Sequence, residues 1–444
     1  MKTYLYKVNR RLCLFIVLSI FALRVEAQTF VVAPMKQLPE AISNNAVVSA
    51  IVGEIQYVYS FGGIDSSKSY SGIHRRSYRL QTNTNLWEAI PSLPDTMGKL
   101  GTAASFIRNK IYITGGYHVL SSGAEVTSNK VHVYDPQTNA FLPDAPPMPV
   151  PVKDHVQVVW RDSLLYIISG WSNNSNVANV QIYNPSTNLW QIGTPVPNQA
   201  NFKVFGASGV VIGDTIYYAG GAIFSAGFPL GTVLRKGTIN PSSPAQINWT
   251  SDENLTFSGY RMGVGSFGDK AIWIGGSLKS FNYDGIAYDG SGGVHALDRI
   301  QIYHSNSGTM TTINDILPNV MDLRGLAKIS PNQFVVAGGM TDNQTVSRST
   351  FLLTIEDFVG ISDDYERTPV RLYPYPAHKQ LFIDSVEPAE MILYNIKGNS
   401  VLNYTIDKGS QALDVSLIPD GFYIAAIYLE SNPSPQYLRV TIQH

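Results

Sequence analysis

An apolar, β-rich run that ends in two small residues recurs six times in this chain, and no other feature constrains the fold as strongly. It reads IQYVYSFGG at Ile55–Gly63, KIYITGG at Lys110–Gly116 and LLYIISG at Leu164–Gly170. It continues as TIYYAGG at Thr215–Gly221, KAIWIGG at Lys270–Gly276 and QFVVAGG at Gln333–Gly339. The small pairs begin at 62, 115, 169, 220, 275 and 338, so their spacings are 53, 54, 51, 55 and 63. A period of this size is the mark of stacked supersecondary units, each too small to bury its own faces.

A second pattern follows each pair after a variable loop: a strand, a polar turn, an aromatic residue, then prolines. Copies are YRLQTNTNLWEAIPSLP from Tyr78, VHVYDPQTNAFLPDAPPMP from Val133 and VQIYNPSTNLWQIGTPVP from Val180, with weaker copies from Leu234 and Ile300. The DPQTN and NPSTN segments are Asx and proline turns that join adjacent antiparallel strands. Each unit thus holds four short strands, and six such sheets arranged radially predict a propeller. Trp87, Trp190 and Trp249, with Phe141 in the matching place, are expected to wedge between neighbouring sheets. The sixth unit supplies only three clear strands. Thr29–Pro39, TFVVAPMKQLP, parallels Leu86–Pro94, so the N-terminal strand is expected to close the ring by completing the last sheet.

Two small residues after an apolar strand, then Tyr, then Trp, resemble the kelch repeat over about residues 28–360. The third copy departs from it with Ser169-Gly170, and the fourth lacks the Tyr turn. The resemblance implies an all-β, six-bladed kelch-like β-propeller. Relatives of that fold include galactose oxidases, sialic acid epimerases and pure binding modules, so fold alone does not choose among them.

Composition shifts after Gly360, and residues 371–444 carry alternating strands with turns at Lys397-Gly398-Asn399 and Pro419-Asp420-Gly421. They predict a small Ig-like β-sandwich. Tyr373-Pro374-Tyr375-Pro376, Leu393–Asn399 and Asp414–Ile424 resemble, in order, three motifs of the C-terminal sorting domain of the Bacteroidetes type IX secretion system. Tyr375 stands where that family has Asn. The resemblance implies passage across the outer membrane, then release or surface attachment, with the secretion machinery as partner. An adhesive or carbohydrate-binding Ig-like domain is the alternative.

The N-terminus reads as a secretory signal. Lys2, Lys7, Arg10 and Arg11 precede the apolar run Leu12–Leu23, and Val25 and Ala27 precede Gln28. An uncleaved anchor is the alternative. The expected partition is a signal at 1–27, the propeller at 28–362, a linker at 363–370 and the sorting domain at 371–444. Cleavage removes five basic residues and one acidic one. The mature charge is then (32 − 5) − (33 − 1) = −5, against −1 for the whole chain. Neither value attracts nucleic acid, and no later apolar run is long enough for a membrane span. A monomer is expected.

Cleavage would also remove Cys13, the one cysteine. Galactose oxidase-like chemistry needs a Tyr–Cys cross-link at copper, so the expectation is of no cofactor, no copper oxidase and a non-catalytic chain. No Ser-x-Asp-x-Gly-x-x-Trp repeat suggests a sialidase, and single carboxylates do not reveal a glycosidase pair. Asp284 and Asp289, in a DG-DGSGG stretch, are candidate calcium ligands, although the full EF-hand pattern is missing.

Fourteen residues before the small pairs stand Gly101, His155, Gly206, Arg261 and Arg324. These positions are expected at the start of the innermost strands, at one mouth of a central channel. His155, Arg261 and Arg324 are the catalytic candidates. Lys99, Asp154, Lys203, Tyr260 and Asp322 are the candidate ligand-binding neighbours. Two arginines can hold a carboxylate by paired donors, or can form salt bridges with Asp154 and Asp322. The leading expectation is a secreted or surface module that binds a glycan or protein ligand on its loop face. The alternative is a sugar-acid epimerase or mutarotase at the channel mouth, implied by the resemblance to sialic acid epimerases. Phe281, Tyr283 and Tyr288 would suit stacking on a sugar or packing on a neighbouring sheet.

Overall fold

The computed structural model describes residues 28–357, 370–373, 377–395, 397–430 and 432–444. The expected signal peptide and linker lie outside the described residues. Chain contacts divide the protein into two units, Gln28–Glu356 and a C-terminal unit from Asp357.

The first unit contains six sheets of four or five antiparallel strands, almost without helix. The first sheet runs Ala46–Val52, Ile55–Ile64, Ile73–Gln81 and Leu86–Ile90. The second uses Leu100–Ile107, Lys110–Val119, Val131–Asp135 and Ala140–Ala145, with Glu125–Thr127 paired alongside. The third to fifth repeat this order, beginning at Val156, Phe205 and Gly263. The sixth joins Ala327–Ser330, Gln333–Ala337 and Thr350–Asp357 to the N-terminal strand Gln28–Pro34.

Closure of a propeller by the N-terminal strand is not what forms. No sheet is closed or curled on itself, and each remains an open ladder with two edges. The strand Gln28–Pro34 is the edge of the sixth sheet. Adding an edge strand lengthens a ladder; closure would need hydrogen bonds on both of its sides.

Neighbouring sheets are linked by other means. The indole N–H of Trp87 donates to the Lys36 carbonyl (2.8 Å), that of Trp190 to Pro146 (2.8 Å) and that of Trp249 to Thr194 (2.9 Å). Each ring therefore anchors its sheet to the loop leaving the sheet before it. Phe141 has no N–H and packs instead on Tyr134 and Phe61, with ring centroids 5.1 and 6.2 Å away. The small pairs sit where one sheet meets the next. Gly220 has φ +69°, and a Cβ there would lie 2.2 Å from the Gly259 carbonyl oxygen. Ser169 adopts the same left-handed backbone, and its hydroxyl bonds both the Val204 carbonyl (3.1 Å) and the Val204 N–H (3.0 Å).

The C-terminal unit has a three-stranded sheet, Val370–Tyr373, Gln380–Ser385 and Gly409–Asp414, and a four-stranded one. The latter comprises Ser400–Ile406, Ala389–Asn395, Gly421–Leu429 and Asn432–Ile442. Leu381, Ile383 and Leu413 of the first share one core with Met391, Leu393, Ala425 and Ile427 of the second. The two-residue period of Gln380–Ser385 buries Leu381, Ile383 and Ser385 on one face and leaves Gln380 and Phe382 exposed on the other.

Candidate functional site

The innermost strands of the six sheets begin next to residues held in the left-handed region: Asn44, Gly101, Asp154, Gly206, Arg261 and Asp322. One circuit of hydrogen bonds joins them. The Asp154 N–H donates to the Gly101 carbonyl, Gly206 to Asp154, Arg261 to Gly206, and Leu323 to Arg261, at 2.8–2.9 Å. The Asn44 N–H donates to the Asp322 carbonyl (3.2 Å), and the Gly101 N–H to Asn44 Oδ1 (2.6 Å).

Charge fills the centre of this circuit. Arg261 donates Nε and Nη2 to the two oxygens of Asp154 (3.0 and 2.9 Å) and Nη1 to Asp322 Oδ1 (2.9 Å). Asp322 also accepts from Ser43 Oγ (2.6 Å) and Asn44 Nδ2 (2.7 Å). Arg324 donates to the Thr102 and His155 carbonyls (3.1 and 3.0 Å), and its Nη1 lies 3.8 Å from Asp154 Oδ1. All of these side chains are buried. Burial alone would raise the Asp154 pKa, but Arg261 and then Arg324 outweigh it and hold the carboxyl at about 2. The same pairing lifts Arg261 well above its ordinary range against the pull of burial. Burial and the Arg324 charge lower His155 to about 3, so its imidazole is neutral at neutral pH. His155 Nε2 meets Thr114 Oγ1 at 2.9 Å.

The structure brings His155, Arg261, Arg324, Asp154 and Asp322 together and commits the guanidinium groups to carboxylates and backbone. Tyr260 stacks beside this group, with the Arg261 guanidinium 5.1 Å from its ring centre. Lys99 lies elsewhere. It pairs with Asp95 (2.6 Å) in a cluster that also holds Lys130, His132 and, through His132, Asp144. Lys203 is half-buried, and its carbonyl accepts from Asn176. Asp289 pairs with Lys279 (3.2 Å), and Asp284 accepts the Ile286 N–H (3.0 Å). Among the described residues no group of three or more His, Cys, Asp or Glu is placed to hold a metal ion.

Above the charged layer, loops from the sheets converge. Tyr117, Tyr260, Phe281 and Met340 form one buried apolar cluster, with Trp171, Phe228, Tyr283 and Tyr288 packed against it. Burial raises the Tyr117, Tyr260 and Tyr288 hydroxyls above their ordinary range, so they remain protonated hydrogen-bond donors. At the rim, Lys153 reaches over the Tyr117 ring, 3.9 Å from its centre, and pairs with Glu125. Glu125 is 32% exposed while Lys153 is nearly covered. The negative charge of Glu125 is felt at Tyr117, Tyr283 and Tyr288 alike. Sequence reasoning missed Glu125 and Tyr117. Glu125 sits on the short strand Glu125–Thr127, an addition the other five sheets lack, and its partner is 28 residues away.

Comparison with known proteins fits this architecture. Residues 17–221 match the KLHDC2/KLHL20/DRC7 Kelch-repeats domain, and residues 371–438 match the secretion system C-terminal sorting domain. The chain thus carries an N-terminal kelch-repeat domain and a C-terminal type IX sorting domain. The sorting domain directs it through type IX secretion, to the exterior or the outer-membrane surface, with the export machinery as partner. Among the described residues no helix is long and apolar enough to cross a membrane.

Among similar proteins, the Aspergillus terreus Kelch-like protein terF is 29% identical over 43% of this chain and 40% of its own length. Xenopus tropicalis Kelch-like protein 25 is 27% identical over 37% of this chain and 27% of its own length. Human Kelch-like protein 15 is 22% identical over 64% of this chain and 44% of its own length. The chain thus spans less than half the length of these relatives. Among solved structures, that of YjhT superposes with a TM-score of 0.55 and 16% identity, over 72% of this chain and 99% of YjhT. That likeness concerns the fold alone.

The expectation of a non-catalytic chain does not stand as argued. It rested on loss of the one cysteine, Cys13, with a cleaved signal; Cys13 is part of the chain and lies outside the described residues, where that cleavage is not shown. A fold shared with YjhT over nearly all of that protein supplies no ground for excluding catalysis either.

Proposed function

We propose that this exported kelch-repeat protein acts on a sugar acid, as an epimerase or mutarotase, at the loop-covered mouth above the charged layer. The observation that carries the reading is the Glu125–Lys153 pair at the rim, set among the phenols of Tyr117, Tyr283 and Tyr288. Opening a cyclic sugar at its anomeric centre needs two proton transfers. A base removes the anomeric hydroxyl proton as the carbonyl forms, and an acid protonates the ring oxygen as its bond to carbon breaks. Reclosure on the other face reverses both transfers, so no atom is gained or lost. In this reading the Glu125 carboxylate is the base and the Lys153 ammonium supplies the proton. The half-buried phenols of Tyr283 and Tyr288 donate to the substrate carboxylate. Arg261 and Arg324 are bonded to carboxylates and backbone and, with His155, hold the floor of the site.

The test is proton-exchange NMR of sugar acids, sialic acid included, in the presence of the purified protein. Exchange between anomers is expected to accelerate, and Glu125→Gln to reduce the acceleration about 100-fold or more. No acceleration with any sugar acid, or full activity in Glu125→Gln, overturns the reading. The competing reading, a glycan- or protein-binding loop face, would give binding without exchange.

A further inference from the structure

The outer face of the four-stranded sheet in the C-terminal unit breaks the pattern that builds the rest of that unit. Along Gly421–Leu429 the inward residues Tyr423, Ala425 and Ile427 are buried, and a solvated antiparallel sheet then calls for polar residues between them. The residues between them are instead Phe422, Ile424, Ala426 and Tyr428. Phe422 is 70% exposed and Ile424 48%. The neighbouring strands extend this surface. Tyr394 lies opposite Ile424, while Ile392 and Tyr437 lie opposite Ala426 on its two sides. Tyr437 is 67% exposed. Among the described side chains of these three strands, the outer face carries one charge, Glu390. The other sheet of the unit has the ordinary arrangement. Gln380, Ser410 and Asp414 are exposed on its outer face, and the Tyr373 hydroxyl there donates to Asp384 (3.1 Å).

A contiguous apolar face left in water costs free energy and marks a surface that a partner covers. Its chemistry points to a protein. A sheet face is flat, and this one lacks the convergent polar groups that orient a small ligand in a cleft. Depletion of charge with exposed aromatic rings is the composition of an interface core. The match to the secretion system sorting domain spans residues 371–438 and so contains Ile392, Tyr394, Phe422, Ile424 and Tyr437. The export machinery is the partner that this match establishes. We propose that the export machinery grips the chain at the Phe422–Ile424–Tyr437 face, through an apolar protein surface of its own. Nothing in this depends on the chemistry at the mouth of the kelch unit.

The test measures the exported fraction of the full chain in a bacterium that has type IX secretion, for the wild type and Phe422→Thr/Ile424→Thr. Threonine keeps strand propensity and removes the apolar surface. Export of the double variant is expected to fall about 10-fold or more, as for loss of central interface contacts, with the protein held in the periplasm. Phe382→Thr, on the outer face of the other sheet, is expected to export as the wild type does. Amide hydrogen exchange along Ala389–Asn395 and Gly421–Leu429 of the purified full chains reports whether the C-terminal unit stays folded. Normal export of a folded double variant overturns the assignment, as does an equal fall in Phe382→Thr. Normal export with loss of a wild-type dimer in sedimentation overturns it too, and gives the face to a second copy of the chain. Should the double variant lose exchange protection, Tyr437→Lys decides, because that residue is two-thirds exposed. A folded Tyr437→Lys held in the periplasm supports the face, and one that exports normally overturns it.

Discussion

Replacing Arg261 by Met tests whether the central charges hold the kelch unit together. Arg261 makes three buried bonds of 2.9–3.0 Å to Asp154 and Asp322. Methionine keeps most of the length and removes the charge. Breaking a buried ion pair by deleting one partner costs about 3–5 kcal/mol, because the other charge stays buried and unpaired. Asp322 retains its bonds from Ser43 and Asn44, so Asp154 is the group left stranded, with only Arg324 Nη1 at 3.8 Å. In the wild type, Asp154 has a pKa depressed to about 2, so its stabilisation is present above the unfolded value and is lost as pH falls through about 2. Without Arg261, burial dominates and raises that pKa. The loss is then largest at neutral pH and shrinks on acidification, as Asp154 takes up a proton.

Urea titration followed by tryptophan fluorescence is the assay. All six tryptophans lie between Trp87 and Trp273, so the signal reports the kelch unit alone. The expected result is a deficit of about 3–5 kcal/mol at pH 7 that narrows by pH 5, with partial recovery in Arg261→Met/Asp154→Asn. A deficit below about 1 kcal/mol, as for a surface pair, would refute the argument. So would a deficit that widens on acidification.

Three further outcomes are expected. His155 and His74, buried and lowered to about 3 and about 4, should make the kelch unit less stable as pH falls below their unfolded value. His155 alone should contribute a loss of about 2 kcal/mol by pH 5, which His155→Gln should remove from urea titrations at pH 7 and pH 5. Gly220→Ala, whose Cβ would lie 2.2 Å from the Gly259 oxygen, should lower stability by more than about 2 kcal/mol. Gly213→Ala, also left-handed but with open space around it, should lower it by about 1 kcal/mol, and thermal melts of the two variants decide whether the clash matters. Deleting 371–444 should keep the protein off the cell surface, as read by fractionation.

The repeat made the sheets and their wedging tryptophans legible in the sequence, because hairpin strands and inter-sheet rings return at nearly constant spacing. Counting a fixed distance back from each small pair located Gly101, Gly206 and Arg261 in the central circuit. It landed on His155 and Arg324 where the circuit members are Asp154 and Asp322. The true rule is one of pairing: each circuit residue lies opposite the second small residue, as the Lys153–Trp171 and Met321–Met340 bridges show for Asp154–Gly170 and Asp322–Gly339. In the third sheet, Trp160 pairs with Leu164 across three turn residues, where the second sheet turns in two between Ile107 and Lys110. That moves the circuit residue by one. The irregular register at Lys328 and Ser330 contributes in the sixth sheet. The N-terminal strand was read correctly as a strand, yet ladder closure needs hydrogen bonding on both edges, and a sequence motif does not specify that.

The rim was legible only in part, Tyr283 and Tyr288 but not Glu125 or Tyr117, and the reason bears on function. A repeat constrains what every unit must do, and here that is to pack sheet on sheet and to satisfy the inner ends of the strands. Arg261 and Arg324 look like anion binders in the sequence, but the left-handed circuit sets Asp154 and Asp322 beside them and uses up their donors. Two positive and two negative charges then cancel beneath a lid of aromatic side chains, where water has little access and a ligand would have to break bonds worth several kcal/mol to enter. Chemistry on an outside molecule falls instead to residues that no repeat requires. Glu125 stands on a short strand added to one sheet and Tyr288 in a long loop of another, where a change leaves the repeated strands undisturbed. Glu125→Gln should therefore alter ligand handling while leaving the urea midpoint in place, and Arg261→Met should do the reverse at any substrate concentration that still finds folded protein.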